Sequence, residues 1–388
     1  MANNRIRPWT TNRRTVKRRF ITPAVLGLAA VLAAPCWASL SSSASQALSG
    51  SSSKAKPVIR LTEFVAPGAI TLNGAGANSI APFFTKVFYN YEQLHSKVTI
   101  NYSPAGSSVG IKDIQENTVD FGDSEIPMSS SAQAAATGGA VLQVPVALGG
   151  VALSYNVPGA PNGLHLDGPT IAAIFDGAIT KWNDPAIAKV SGVPNLPDLA
   201  IVPVHRADSS GPGWDLDQYL IKTSPKWVTK VGTSKASTSW PLPDIGEGEQ
   251  LNTGVATFVK ATAGAIGFVS YGYASKAGFT NAAVKNGSGS YVRPTSYTIG
   301  QAGAQATHLS ATKFSIIDES GPSTYPLANF SWTLLYKKQA SAAKSAALDN
   351  LFYYVVTTGQ LQAKSLGYSA LPSNVAQLAK ATLSKLQS

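Results

Sequence analysis

Three short Gly/Ser-rich segments, each running straight into a helical pattern, constrain this chain more than any other feature. They are Gly74-Ala75-Gly76-Ala77-Asn78-Ser79, Ala105-Gly106-Ser107-Ser108-Val109-Gly110 and Arg206-Ala207-Asp208-Ser209-Ser210-Gly211-Pro212-Gly213. The first turn of a helix carries backbone N–H groups without intrahelical partners and a partial positive charge. Small residues there let an anion reach the backbone, and serine adds a hydroxyl donor. Three such ends in one chain suffice to replace the hydration shell of a tetrahedral oxyanion, so they point to an anion receptor.

The formal net charge of +11 invites a nucleic-acid reading, but its distribution removes it. Ten of the 31 basic residues precede Glu63, the first acidic residue, which leaves 21 basic against 20 acidic side chains in the rest. Beyond residue 62 the only arginines are Arg206 and Arg293, and Arg206 lies in the third Gly/Ser segment. No nucleic-acid partner is expected.

Residues 1–38 read as an export signal. Seven positive charges precede an apolar run from about Pro23 to Ala34, followed by small residues. Cys36 is the only cysteine, so no intrachain disulfide forms. Its position after the apolar run leaves two readings open, a lipid anchor on Cys36 or cleavage after Ala38; Ala33-Ala34-Pro35-Cys36 fits a lipidation box poorly. An uncleaved anchor over Ile21–Leu40 is a third reading. All three place the protein outside the cytoplasm. Residues 39–65 form a linker, Ser/Ala/Gly-rich up to about residue 58. The remaining length suits two lobes.

Within them Val144–Leu148, Val151–Tyr155 and Ala200–Val204 read as buried strands, with Thr71–Asn73 and Thr99–Tyr102 as short strands before the first two Gly/Ser turns. Helical patterns cover 80–91, 109–117, 170–175, 214–221, 343–357 and 375–386. Strand and helix alternate, which implies an α/β fold with largely parallel sheets whose ligand sits outside the carboxyl ends of the strands. Charged residues make up only 13% of the chain, against about 25% in ordinary soluble proteins; a low-charge surface suits an extracellular setting.

Several side chains carry candidate chemistry. Asp120, Asp123 and Glu125 fall within six residues but lack metal-ligand spacing, and the four histidines show none either. No metal or cofactor is expected. Beside an anion, a carboxylate accepts a hydrogen bond from a protonated oxyanion and repels a fully ionised one. That would select phosphate over sulfate. Arg206 supplies the cation, and Asp208, two residues on, is placed to hold it; the alternative is a surface pair of little value. Ser107 and Ser210 also read as plain N-caps. Gly106-Ser107-Ser108-Val109-Gly110 matches a hydrolase elbow formally, with Ser108 as nucleophile. Gly74-x-Gly76 lacks the third glycine of a dinucleotide fingerprint.

In order along the chain come Leu72-Asn73-Gly74-Ala75-Gly76-Ala77, Gly106-Ser107-Ser108-x-Gly110, Asn117-Thr118-Val119-Asp120-Phe121-Gly122 and Gly149-Gly150-Val151. Lys181-Trp182-Asn183-Asp184-Pro185, Arg206-Ala207-Asp208-x-Ser210-Gly211, Gly264-Ala265-Ile266-Gly267-Phe268-Val269 and Tyr368-Ser369-Ala370-Leu371-Pro372 follow. From about Leu72 to Leu378 the chain resembles the substrate-binding proteins of phosphate ABC transporters, of the type 2 periplasmic-binding-protein fold. The resemblance implies two α/β lobes, each a mostly parallel sheet flanked by helices, joined by a two-strand hinge with crossovers near Asn156 and Phe330. Lobe 1 would combine residues 66–155 and 331–388, and lobe 2 would span 156–330.

The resemblance also implies a monomeric, non-catalytic receptor that delivers inorganic phosphate to membrane permease subunits. Ser107, Arg206, Ser210 and Gly211 match its phosphate ligands, and Asp208 matches the supporting aspartate. The ligand shell departs from the family in four places. Asn78-Ser79 stands for Thr-Phe, Glu125 for Asp and Pro212 for Thr; Asn78, Ser79 and Glu125 keep hydrogen-bonding groups, whereas Pro212 removes an N–H and a hydroxyl. A receptor or sensor domain for another oxyanion, and a surface phosphatase, are the competing readings.

Overall fold

The computed structural model describes residues 68–233, 239–310 and 315–388. The export signal, Cys36 and the whole linker lie outside the described residues. The first stretch runs β1 (Ile70–Gly76), α1 (Ala81–Leu94), β2 (Val98–Ser103), α2 (Ser107–Gln115), β3 (Phe121–Ser124), α3 (Ser130–Ala134) and β4 (Val141–Tyr155). Next come β5 (His165–Leu166), α4 (Gly168–Phe175), α5 (Pro185–Ser191), β6 (Val202–Arg206), α6 (Gly211–Thr223), α7 (Pro225–Val231), β7 (Glu247–Glu249) and α8 (Leu251–Ala261). They are followed by β8 (Ala265–Ser270), α9 (Tyr271–Ala277), β9 (Thr280–Asn281), β10 (Ala283–Lys285), β11 (Tyr291–Val292) and α10 (Ser296–Gln305). The chain closes with β12 (Ala328–Tyr336), α11 (Ala342–Val355), two short 3₁₀ turns and α12 (Ser373–Leu383).

Nine strands form one sheet in the order β2-β1-β3-β12-β4-β8-β6-β7, with β9 paired to β4, while β11-β10-β5 make a small second sheet. Pairing is parallel within β2-β1-β3 and within β8-β6-β7. The two central strands, β12 and β4, run antiparallel to their neighbours. The sheets are thus less uniformly parallel than expected, because the crossing strands must return through the middle.

The segments 144–148 and 151–155, expected as separate strands, are one buried strand of 15 residues. Its partners change midway: Val141 to Gly150 pair with β12, and Val151 to Tyr155 with β8. Gly149-Gly150 mark the change. A Cβ at Gly150 would stand 3.1 Å from both Ile299 and the Leu327 carbonyl, so the strand crosses where it has no side chain to place.

Helix α1 shows why the flanking helices pack as they do. Phe83, Phe84, Val87, Phe88 and Tyr91 recur at helical spacing and are buried. The rings of Phe84 and Phe88 form a cluster with Tyr102, Phe121 and Phe352, with Phe84 and Phe88 stacked at 4.5 Å and Phe121 edge-on to Phe352 at 5.1 Å. This cluster holds α1 and α11 on β1–β3. Helix α6 buries Trp214, Leu216, Tyr219 and Leu220 in the same way on the other half of the sheet.

Candidate functional site

The site forms where the parallel strands end. At the carboxyl end of β1, Gly76 has φ +146°, and a Cβ there would lie 2.0 Å from the Asp123 carbonyl oxygen. Gly110 in α2 passes the same place, where a Cβ would stand 2.7 Å from the Gly76 Cα. Only glycine allows helix and strand to touch so closely. Gly106 donates its N–H to the Gly76 carbonyl at 2.8 Å, which docks the start of α2 on β1. Gly106, with φ 114°, is the N-cap, and Ser107 is the first helical residue. Ser107 is therefore not a plain N-cap. Its buried hydroxyl accepts the Glu125 N–H at 3.2 Å, which leaves the hydroxyl hydrogen to donate elsewhere.

The second half supplies the charge. Strand β6 ends at Arg206, whose side chain is 1% exposed. Its Nε donates to Asp208 Oδ1 at 2.6 Å, and its Nη2 donates to Asp208 Oδ2. Asp208 Oδ1 also accepts the Leu251 N–H at 2.9 Å, so the first turn of α8 anchors the pair. Leu251 has φ 59°, a left-handed conformation that a leucine adopts only under constraint from its surroundings. Arg206 is thus buried against a half-buried Asp208 that a third element holds, unlike a surface ion pair. Two residues on, Ser210 is the N-cap of α6: its Oγ accepts the Gly213 N–H at 3.1 Å. Here the capping reading is correct. Pro212 falls within the first turn of α6, where the missing N–H costs the helix nothing but removes a donor from the anion's side.

Contacts between the halves bring these ends together. The Ser108 and Ser209 hydroxyls meet at 2.5 Å. Asn252, near the start of α8, donates its backbone N–H and its Nδ2 to Asn78 Oδ1, each at 3.0 Å, and Nδ2 also reaches Ser79 Oγ at 3.3 Å. Ser270 donates its N–H to Asn252 Oδ1 at 2.8 Å, fixing the amide's orientation. Tyr273 donates to the Asn78 carbonyl at 3.1 Å, and Tyr368 donates to the Ser79 carbonyl. The Asn78 side chain is thus occupied by the opposite half rather than left facing a ligand.

The three acidic residues of the segment 119–127 part company. Asp120 pairs with Lys344 and accepts the Asn73 N–H at 2.9 Å. Asp123 is buried and accepts from the Ser331 and Thr333 hydroxyls at 2.5 and 3.3 Å. Glu125 alone enters the site. Its Oε1 accepts Asn329 Nδ2 at 3.1 Å, and the same nitrogen donates to Asp215 Oδ2. Its Oε2 is buried without a hydrogen-bond partner among the described residues and lies against Gly211, where a Cβ would come within 2.3 Å. Burial pushes the Glu125 carboxyl up to about 7, against the pull of the Ser79 hydroxyl, the Arg206 guanidinium and the Asn329 amide. Burial raises Asp215 well above the usual carboxylate range too, with the charge of Glu125 adding to the effect.

All eight residues singled out in the sequence fall in this region, around the starts of α1, α2 and α6. Asn252, Tyr273, Asp215 and Asn329 were missed. Asp215 sits one turn into a helix, and Asn329 and Asn252 start elements with no Gly/Ser signature, so nothing local marks them. Among the described residues no group of His, Cys, Asp and Glu could hold a metal ion. His205 sits between the Arg206 and Pro243 carbonyls, and His165 stacks on Tyr291.

A two-lobed α/β fold with helix N-termini, one buried arginine and one carboxyl converging between its halves defines a binding protein of the PBP superfamily, whose domain profile matches residues 61–358. The chain is 37% identical over 313 residues to the phosphate-binding protein PstS of Pasteurella multocida, covering 80% of this chain and 88% of that one. It is 35% identical over 310 residues to that of Xylella fastidiosa, covering 79% and 83%. The chain belongs to the PstS family of phosphate-binding proteins. Solved structures agree on the fold. The high-affinity periplasmic phosphate-binding protein PfluDING matches with a TM-score of 0.64 at 18% identity, over 80% of this chain and 93% of that one. A phosphate-binding protein from Stenotrophomonas maltophilia matches with 0.61 at 17%, over 81% and 94%.

Proposed function

We propose that this protein binds inorganic phosphate outside the cytoplasm and delivers it to the permease subunits of an ABC transporter. The observation that carries the reading is the meeting of α2, α6 and the Arg206–Asp208 pair at the Glu125 carboxyl, which sets donors and one acceptor around a single point. Ser107, Ser210, Gly211 and Arg206 donate to the phosphate, Ser79 adds a hydroxyl, and Glu125 accepts the proton of HPO4²⁻. Asn78 takes part through its backbone, and Asp208 supports Arg206. The names of the relatives support the same ligand.

On this reading lobe 1 is residues 66–155 with 331–388, lobe 2 is 156–330, and the crossing strands β4 and β12 are the hinge that closes over the anion. Residues 1–38 direct export, and the mature protein works as a monomer in the periplasm or on the outer face of the membrane, free or anchored through Cys36. It needs no cofactor. The family is one of binding proteins, and catalysis plays no part here: the Ser108 hydroxyl meets that of Ser209, and His205 and His165 are engaged elsewhere.

Calorimetric titration of the purified protein, stripped of bound anion by unfolding and refolding, tests this. One-to-one phosphate binding is expected. Absence of phosphate binding would refute the reading and favour a receptor for another oxyanion, for which the loss of a donor at Pro212 is the motive.

A further inference from the structure

Asn329, the second residue of β12, stands at the point where the two halves join. Its backbone pairs with Gly149, just where β4 gives up β12 for β8. Its side chain lies over the same glycine, where a Cβ would stand 3.2 Å from Asn329 Oδ1. Gly149 thus leaves room for an amide at the crossing. From there Nδ2 reaches both halves. It has two hydrogens, and it gives one to Glu125 Oε1 at 3.1 Å and the other to Asp215 Oδ2. Glu125 directly follows β3 and Asp215 lies in α6, so one nitrogen joins a carboxyl from each side of the site.

This contact decides how Glu125 is turned. All three side chains are buried. With Oε1 taken by Asn329, the other oxygen, Oε2, has no hydrogen-bond partner among the described residues and faces Gly211, the first residue of α6. A glutamate carboxyl turns freely about its last torsion unless something holds one of its oxygens. Solvent is a poor substitute for the amide. The cavity beside the three residues, lined also by Trp214, Ile316 and Phe330, measures about 10 Å³, room for one water at most.

We propose that Asn329 is a positioning residue for the anion site: it holds Glu125 with Oε2 toward the anion, and its second bond, to Asp215, completes that hold only when the halves are closed. This rests on the phosphate-site reading above. Opening about the crossing of β4 and β12 draws α6 away from β3, and one nitrogen on the crossing strand cannot then keep both carboxyls. The open form receives the anion with Glu125 incompletely held. Closure fixes the acceptor against the ligand's hydrogen, so removing the amide acts on release rather than on capture.

Phosphate is titrated by calorimetry, and its rates are measured by stopped flow, on the wild type and on Asn329→Leu, which keeps a branched side chain and removes the donor. Both are repeated with Glu125→Ala. With Glu125 present, Asn329→Leu should raise the phosphate Kd about tenfold to a hundredfold. Nearly all of the change should lie in the release rate, with the association rate altered less than about twofold. With Glu125→Ala the same substitution should change the Kd less than about threefold, since no carboxyl is left to aim. A residue that only shapes the hinge would cost the same in both backgrounds. That result overturns the proposal and leaves the phosphate reading intact, and so does a loss carried by the association rate. If Glu125→Ala binds too weakly to titrate, the division between the two rates decides alone. A wild type that binds no phosphate overturns both readings. Asn329→Ala, which removes the amide without filling its place, is the second variant should Asn329→Leu not fold, and the same outcomes apply to it.

Discussion

The two halves of the site reach the same point by different means. The β1/α2 half is built from backbone: Gly76 and Gly110 let strand and helix touch, and the donors it presents are helix-end N–H groups and the Ser107 hydroxyl. The β6/α6 half is built from charge: buried Arg206 and Asp215 and half-buried Asp208 sit within or just before α6. A backbone site depends on close approach and tolerates no added atoms. A charge site depends on pairing and tolerates no lost partner. Damage to the first half should therefore appear as instability, and damage to the second as lost affinity with lost stability.

Breaking the charged half should have the largest effect. Arg206→Met leaves the half-buried Asp208 carboxylate with the Leu251 N–H and no cation. Stability in urea should fall by about 2–3 kcal/mol, less than for a fully buried pair because Asp208 is only half-buried, and phosphate affinity by roughly a thousandfold, read by calorimetry. Loss of affinity at unchanged stability would show that Asp208 is satisfied without its arginine.

The backbone half is tested by Gly76→Ala. The added methyl meets the Asp123 carbonyl at a φ that alanine avoids. Destabilisation of roughly 3 kcal/mol is expected, with phosphate affinity near wild type in the molecules that remain folded. A large affinity loss in stably folded protein would mean that the two halves are not separable in this way.

Contacts between the halves should matter less. Asn252→Ala keeps the backbone N–H bond to Asn78 but strips the side-chain donor from Asn78 and Ser79 and leaves the Ser270 N–H without its acceptor. About 1–3 kcal/mol is expected, seen as faster phosphate release in stopped-flow measurements. The Ser108–Ser209 pair should contribute least. Alanine at either position is expected to cost less than about 1 kcal/mol, with a coupling of that size in the double-mutant cycle. A coupling near zero would show that the hydroxyl pair does not help hold the halves together.

Local signals explain what could be read in advance. Gly/Ser turns announced the starts of α1, α2 and α6 because a helix end needs caps and close approach needs glycine, both within a few residues of chain. The arginine and its aspartate were legible for the same reason, being two residues apart. The run 144–155 reads as two strands in the sequence because paired glycines usually mark a turn. Here Gly149-Gly150 make room for Ile299 and the Leu327 carbonyl, residues that no local window contains.

The sequence by itself therefore determined the α/β class and the Gly/Ser helix starts, since each depends on short-range backbone chemistry. Only the tertiary structure decided how the site residues are used. It turned the Asn78 side chain toward Asn252, pressed Glu125 against Gly211 and tied it to Asp215 through Asn329. The reason is burial. A carboxyl's protonation and an amide's partner depend on what surrounds them in space, and residues 125, 215 and 329 meet only when the sheet has closed around them.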